Sequence, residues 1–107
     1  MGRKTNVLEL DLTPVHAKRI LEDVAQESGR VYFTNHAEER MIERNITRHQ
    51  VLRCLKHGNI IEGPCRNING NWQLSIHVFS AGENITVVAA LNKDKSGNYI
   101  IVITAYN

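Results

Sequence analysis

The sequence predicts an α+β domain in which N-terminal helices pack on one face of an antiparallel sheet of three to five strands. Three observations predict it. Capping patterns and helically spaced apolar residues crowd the chain up to His57. After Asn59 the apolar residues alternate with a period of two. The connections Asn67-Ile68-Asn69-Gly70, Ala81-Gly82-Glu83 and Asp94-Lys95-Ser96-Gly97 are short and rich in turn residues, so consecutive strands should pair as antiparallel hairpins.

The first helix starts at Thr13-Pro14, where Thr caps and Pro gives up an amide that would be unpaired anyway. Ala17, Ile20, Leu21, Val24 and Ala25 form its apolar stripe, and Ser28-Gly29 should end it. Val31-Tyr32-Phe33 reads as a short strand. Asn35 with Glu38, and Thr47 with Gln50, are capping-box patterns that predict helices over about 36–44 and 48–57. The first should bury Ala37 and Met41, and the second Val51, Leu52 and Leu55 before stopping at Gly58. Ile60-Ile61 opens a strand that Gly63-Pro64 should interrupt. Trp72, Leu74, Ile76 and Val78 alternate with Gln73, Ser75, His77 and Phe79, a half-buried strand. Ile85 to Leu91 is nearly continuously apolar and suits a central strand, and Tyr99 to Ala105 is another. At 107 residues the chain is one domain's worth, with 1–30 an N-terminal helical extension of a 31–107 core.

Composition excludes several classes. Hydrophobic residues at 42% and charged residues at 22% are ordinary globular usage, against a disordered tail protein. No apolar run approaches the roughly 18–20 residues that span a bilayer. Two cysteines, Cys54 and Cys65, make no disulfide framework, and reduced thiols in a cytoplasmic protein are expected. Cys54, His57 and Cys65 invite a zinc site, but no fourth ligand is identifiable and Cys54 falls within a helix beside Leu52 and Leu55, so neither metal nor cofactor is expected. There is no glycine-rich phosphate loop and no serine nucleophile elbow.

The net charge of +2 is small, but it is unevenly spread. Residues 1–30 carry five positive and five negative side chains, and 67–107 two and two; 31–66 carry six against four. His36, Arg40 and Arg44 lie in that segment at i, i+4 and i+8, along one slowly drifting line of a helix. Arg40 and Arg44 are then a like-charge pair, as are Glu39 and Glu43, an arrangement that disfavours the isolated helix. One reading is that His36, near the helix N-terminus, and the two arginines converge on a phosphate. The other is that the arginines pair with Glu43 or with carboxylates elsewhere. Arg48, Arg53, Lys56 and Arg66 either form solvated faces or extend a basic patch along a nucleic-acid backbone. His77 is on the outward side of its strand and Tyr106 shares a strand face with Thr104.

The string His36-Ala37-x-x-Arg40-Met41-x-x-Arg44-x-Ile46, with Val51, Gly58 and the closing Ile103-Thr104-Ala105-Tyr106, resembles a bacterial family of domains of unknown function. That family is similar to the RelE/ParE-type toxins, in which two helices pack on a curved antiparallel sheet. The resemblance covers roughly 31–106 and implies a β-α-α-β-β-β core, to which this chain adds an N-terminal helix. Members often have Gly where this chain has Asn45. A RelE-type activity implies metal-independent RNA cleavage, in which a ribose 2′-oxygen attacks the adjacent phosphorus. On that reading His36, Arg40 and Tyr106 are catalytic, and Arg44, Arg48, Lys56 and His77 contact the nucleic acid. The implied partners are RNA and a cognate antitoxin protein. The alternative is a non-catalytic protein-binding or nucleic-acid-binding module on the same fold, as with ParE-type members.

Overall fold

The computed structural model describes residues 12–80 and 82–107. Helix α1 runs Pro14–Ala25, and its cap is as expected: the Thr13 side chain accepts from His16 N at 3.2 Å. Ser28 and Gly29 do not end this helix directly. They belong to a separate 3₁₀ turn, Ser28–Arg30, that leads into β1, Val31–Phe33.

Helix α2 is Asn35–Arg44. Its cap is Thr34 rather than Asn35. The Thr34 amide still donates to Val102 O in the sheet at 3.1 Å, so the chain turns from strand to helix at this residue. The Thr34 hydroxyl then accepts from Ala37 N at 3.0 Å. At the other end Asn45 adopts the left-handed conformation, φ 60°, which suits a position where Gly is the commonest alternative. Helix α3, Arg48–His57, carries the complete Thr47/Gln50 capping box. It buries Val51, Cys54 and Leu55; Leu52 is only half-buried.

Four strands follow: β2 Asn59–Arg66, β3 Trp72–Ser80, β4 Glu83–Asp94 and β5 Gly97–Tyr106. Gly63-Pro64 does not break β2. The strand passes through it with register shifts between Ile60 and Glu62 and between Glu62 and Cys65, the form in which an edge strand tolerates such residues. The sheet order is β1-β5-β4-β3-β2, with β4 central. Its four hairpin-connected strands are antiparallel, but β1 lies parallel to β5, so the sheet is mixed. Hairpin turns dictate antiparallel pairing only for consecutive strands; β1 reaches β5 after two helices and three strands.

All three α-helices of the described residues contribute to one core. Ala17, Leu21 and Val24 of α1, Ala37 and Met41 of α2, and Val51, Cys54 and Leu55 of α3 pack with Leu74, Ile76, Val87, Ile100 and Val102 of the sheet. The opposite sheet face carries another set, because side chains alternate. Across β3, β4 and β5 the register aligns His77 with Thr86 and Thr86 with Tyr106. Farther along lie Ser75 with Val88, then Gln73 with Ala90 and Ile101, and Tyr32 beside Ile101. All three tyrosines of the chain are on β1 and β5 of this face.

Candidate functional site

The predicted residues fall into two groups. His36, Arg40 and Arg44 lie along α2 as their spacing requires, with His36 and Arg44 exposed and Arg40 half-buried. Arg40 is held by Glu43 at 2.8 Å, three residues on, which is the second of the two readings the spacing allowed. Arg48, at the start of α3, pairs with Glu38 at 2.6 Å and stacks its guanidinium 4.4 Å from the centroid of Phe33. Lys56 is half-buried in the last turn of α3.

Helix α2 runs beside the second half of β5. At its start the Thr34 hydroxyl donates to Ile103 O at 3.2 Å, and at its end the Asn107 side-chain amide donates to Arg44 O at 3.1 Å. His36 is therefore at one end of this pairing, and Arg44 is at the other, where Asn107 follows Tyr106 in the chain. Eight residues of helix separate the two ends by about 12 Å.

His77 and Tyr106 are brought into one row of the sheet, with Thr86 between them. Two strand spacings put their backbones about 10 Å apart, with both side chains on the face away from the helices. Tyr106 is 42% exposed, His77 half-buried, and Thr86 buried at the floor between them. His77 Nε2 lies 2.9 Å from Asn84 Oδ1. An amide oxygen only accepts, so the contact fits a ring with its proton on Nε2, and in the neutral tautomer of that kind the lone pair is on Nδ1.

Asn84 and Thr86 were not among the predicted site residues. Thr86 sits in the apolar run from Ile85 to Leu91 and reads as core until the β3–β4 hairpin register is applied. With Ser80 opposite Glu83, that register puts Asn84 and Thr86 on His77's face. The second missed feature is an aromatic cluster farther along the same face. Tyr32 and Tyr99 meet edge to face at 5.6 Å and 83°, and the Arg30 guanidinium lies 5.6 Å from the Tyr99 ring centroid. Arg30 is fixed there by Asp94 at 2.9 Å and by the Gly97 carbonyl at 2.8 Å. Its guanidinium holds the Asp94 carboxyl below the usual carboxylate range.

Cys54, the centre of the alternative zinc reading, is enclosed in the core. Its thiol donates to Ile76 O at 3.4 Å, and burial pushes it up to about 12. Cys65 is exposed on β2. Among the described residues no three His, Cys, Asp or Glu side chains gather closely enough to hold a metal ion. Nor is any described helix long and apolar enough to cross a membrane.

The model of a family described as a domain of unknown function (DUF4258) matches residues 33–107, and the chain belongs to that family. No curated protein and no solved structure matches it. The match begins at the last residue of β1, so α1, which buries Ala17, Leu21 and Val24 in the common core, lies outside it.

Proposed function

We propose that this DUF4258 domain is a toxin-like ribonuclease that cleaves RNA without a metal ion, using the sheet face away from its helices. The observation that carries the reading is the row His77–Thr86–Tyr106, in which a proton acceptor and a proton donor flank a small buried residue. A phosphodiester lying over Thr86 would meet both. His77 Nδ1 takes the proton of the ribose 2′-hydroxyl as its oxygen bonds to phosphorus. The bond from phosphorus to the 5′-oxygen breaks, and the Tyr106 hydroxyl gives that oxygen its proton. The products are a 2′,3′-cyclic phosphate and a 5′-hydroxyl. Arg44, at the Tyr106 end of α2, supplies positive charge to the phosphate. His36 and Arg40, expected from the helix motif as catalytic, take the role of contacts to the flanking backbone together with Arg48 and Lys56. A cognate antitoxin would silence the enzyme by covering the same face, and the cytoplasm is where both would meet RNA.

The test is incubation of the purified chain with an end-labelled single-stranded RNA in a chelator, beside the same strand with 2′-deoxyribose. Cleavage of the first alone, slowed about 10²-fold or more by His77→Asn and by Tyr106→Phe, is the expected result. RNA left intact, or variants that cut as fast as the parent, would overturn it.

A second reading, a non-catalytic binding module on the same fold, is favoured by one observation. Glu43 and Glu38 neutralise Arg40 and Arg48, two of the cations of the predicted set. It predicts a stable complex with RNA or a protein and no cleavage.

A further inference from the structure

Exposed aliphatic and exposed aromatic side chains are distributed differently over the molecule. Val15, Ile42, Ile61 and Ile68 are scattered over α1, α2, β2 and the β2–β3 turn. The exposed aromatic rings among the described residues are Tyr32, Phe79 and Tyr106, and all three lie on the sheet face away from the helices. They are 48%, 65% and 42% exposed.

The strand registers set these rings out along a diagonal of the sheet. Phe79 is opposite Asn84, Tyr106 opposite Thr86, and Tyr32 beside Ile101, which pairs with Ala90. Strand rise and spacing then put the backbone of Tyr106 about 12 Å from that of Phe79 and about 14 Å from that of Tyr32. The surface between them is small and uncharged: Ser75, Thr86, Val88 and Ala90. At its β2 edge the Glu62 carboxylate accepts from Ser75 Oγ at 3.4 Å. Tyr32 is also held in orientation. Its ring meets Tyr99 edge to face, the Arg30 guanidinium lies against Tyr99, and Asp94 fixes Arg30. A ring already immobilised loses little freedom when a ligand stacks on it.

A protein partner would call for a continuous apolar patch, whereas these rings stand apart on a neutral floor. Flat, uncharged groups repeated along a chain match that spacing, and the bases of a single-stranded nucleic acid are such groups. Unpaired bases stack on aromatic side chains, and a sheet face is one way proteins present them. We propose that this face binds single-stranded RNA by stacking, with one base on Phe79 and another on Tyr32, either side of Tyr106. The proposal rests on the RNA reading of the His77–Tyr106 row and narrows its substrate to an unpaired strand several nucleotides long. A duplex, whose bases are already stacked and paired, offers the sheet no free ring faces.

Binding is measured apart from cleavage. The full chain is titrated against a fluorescein-labelled 2′-O-methyl single-stranded octanucleotide, which lacks the attacking hydroxyl, following anisotropy. The same strand within a duplex and an abasic strand of equal length are the comparison ligands. The single strand should bind at least about fivefold more tightly than either. Phe79→Ala and Tyr32→Ala should each weaken it about fivefold or more, and Phe79→Tyr and Tyr32→Phe, which keep a ring, should restore most of the affinity. Thermal melting shows that the Ala variants are folded, and Phe79, the more exposed ring, is the one whose truncation least disturbs the sheet. Equal binding of the abasic strand or the duplex, or parental affinity in either folded Ala variant, overturns the proposal. Ring-dependent binding with cleavable RNA left intact would overturn the reaction alone. Cleavage slowed by His77→Asn, with binding indifferent to both rings, would overturn the stacking alone.

Discussion

Thr34 donates its hydroxyl to the carbonyl of Ile103, the residue by which β5 steps out of register with β4. The same hydroxyl accepts from Ala37 N and caps α2. One side chain thus satisfies a helix end and the carbonyl of a bulge, two places where backbone groups commonly lack partners. Thr34→Ala should destabilise the fold by about 1–2 kcal/mol, lowering the melting temperature by roughly 4–8 °C per kcal/mol for a domain of this size. Thr34→Ser, which keeps the hydroxyl, should recover most of the loss. Thermal unfolding by circular dichroism separates the two.

Gly58 ends α3 with an ordinary extended conformation, so its need for glycine is not a matter of left-handed backbone. A Cβ there would stand 2.6 Å from Cys54 O, 2.7 Å from His77 O and 2.7 Å from Ile76 Cγ2. Two of these are backbone atoms that cannot move aside alone. Gly58→Ala should therefore cost about 1–3 kcal/mol by overpacking, the opposite of the usual gain from removing a glycine. At Gly29 a Cβ meets nothing within 4 Å, and Gly29→Ala should be neutral or slightly stabilising. Urea midpoints of the two variants test the contrast. A neutral Gly58→Ala would mean that α3 and β3 are looser here than described.

Local signals accounted for the helices and hairpins because each is specified within a few residues. Thr13-Pro14, the Thr47/Gln50 box and the alternation from Trp72 to Val78 are all of that kind. What was not legible depends on contacts far apart in the chain. The parallel pairing of Val31–Phe33 with Ile100–Val102 has no local signature. Nor does the transfer of the cap from Asn35 to Thr34, which follows from the Thr34 amide bonding to Val102. The candidate site divides in the same way. The line His36–Arg40–Arg44 follows from helical spacing, but the row His77–Thr86–Tyr106 needs two strand registers, one of them shifted by the β5 bulge.

Cys54 gives a pH dependence whose sign can be worked out. Burial holds its thiol protonated, up to about 12 against an ordinary 9.0, so in the folded state the proton stays on while the unfolded chain releases it. The unfolded state then binds fewer protons between about pH 9 and 12, and stability falls as pH rises through that window; below pH 9 this contribution is fully present. The slope attributable to this thiol is at most about 1.4 kcal/mol per pH unit. Because tyrosines and lysines also titrate there, the measurement is the difference between the parent and Cys54→Ala. At pH 8 a thiol reagent should modify Cys65 quickly and Cys54 only on unfolding, so two rapidly reacting thiols would contradict the burial.

The contact between Asn84 and His77 determines which imidazole nitrogen has the lone pair. With Asn84 Oδ1 accepting at 2.9 Å, the neutral ring that fits the contact has its proton on Nε2 and its lone pair on Nδ1. Long-range proton–nitrogen spectra of the labelled chain, recorded where imidazole is neutral, should show His77 in the Nε2–H form. Asn84→Ala removes the acceptor and should shift the ring toward a mixture of tautomers without changing the far-ultraviolet spectrum, since Asn84 is exposed near the start of β4. If RNA cleavage proceeds through Nδ1, Asn84→Ala should lower kcat in proportion to the lost Nε2–H population, with KM little changed. A parent spectrum dominated by the Nδ1–H form would exclude Nδ1 of His77 as the base, whatever the chain does to RNA.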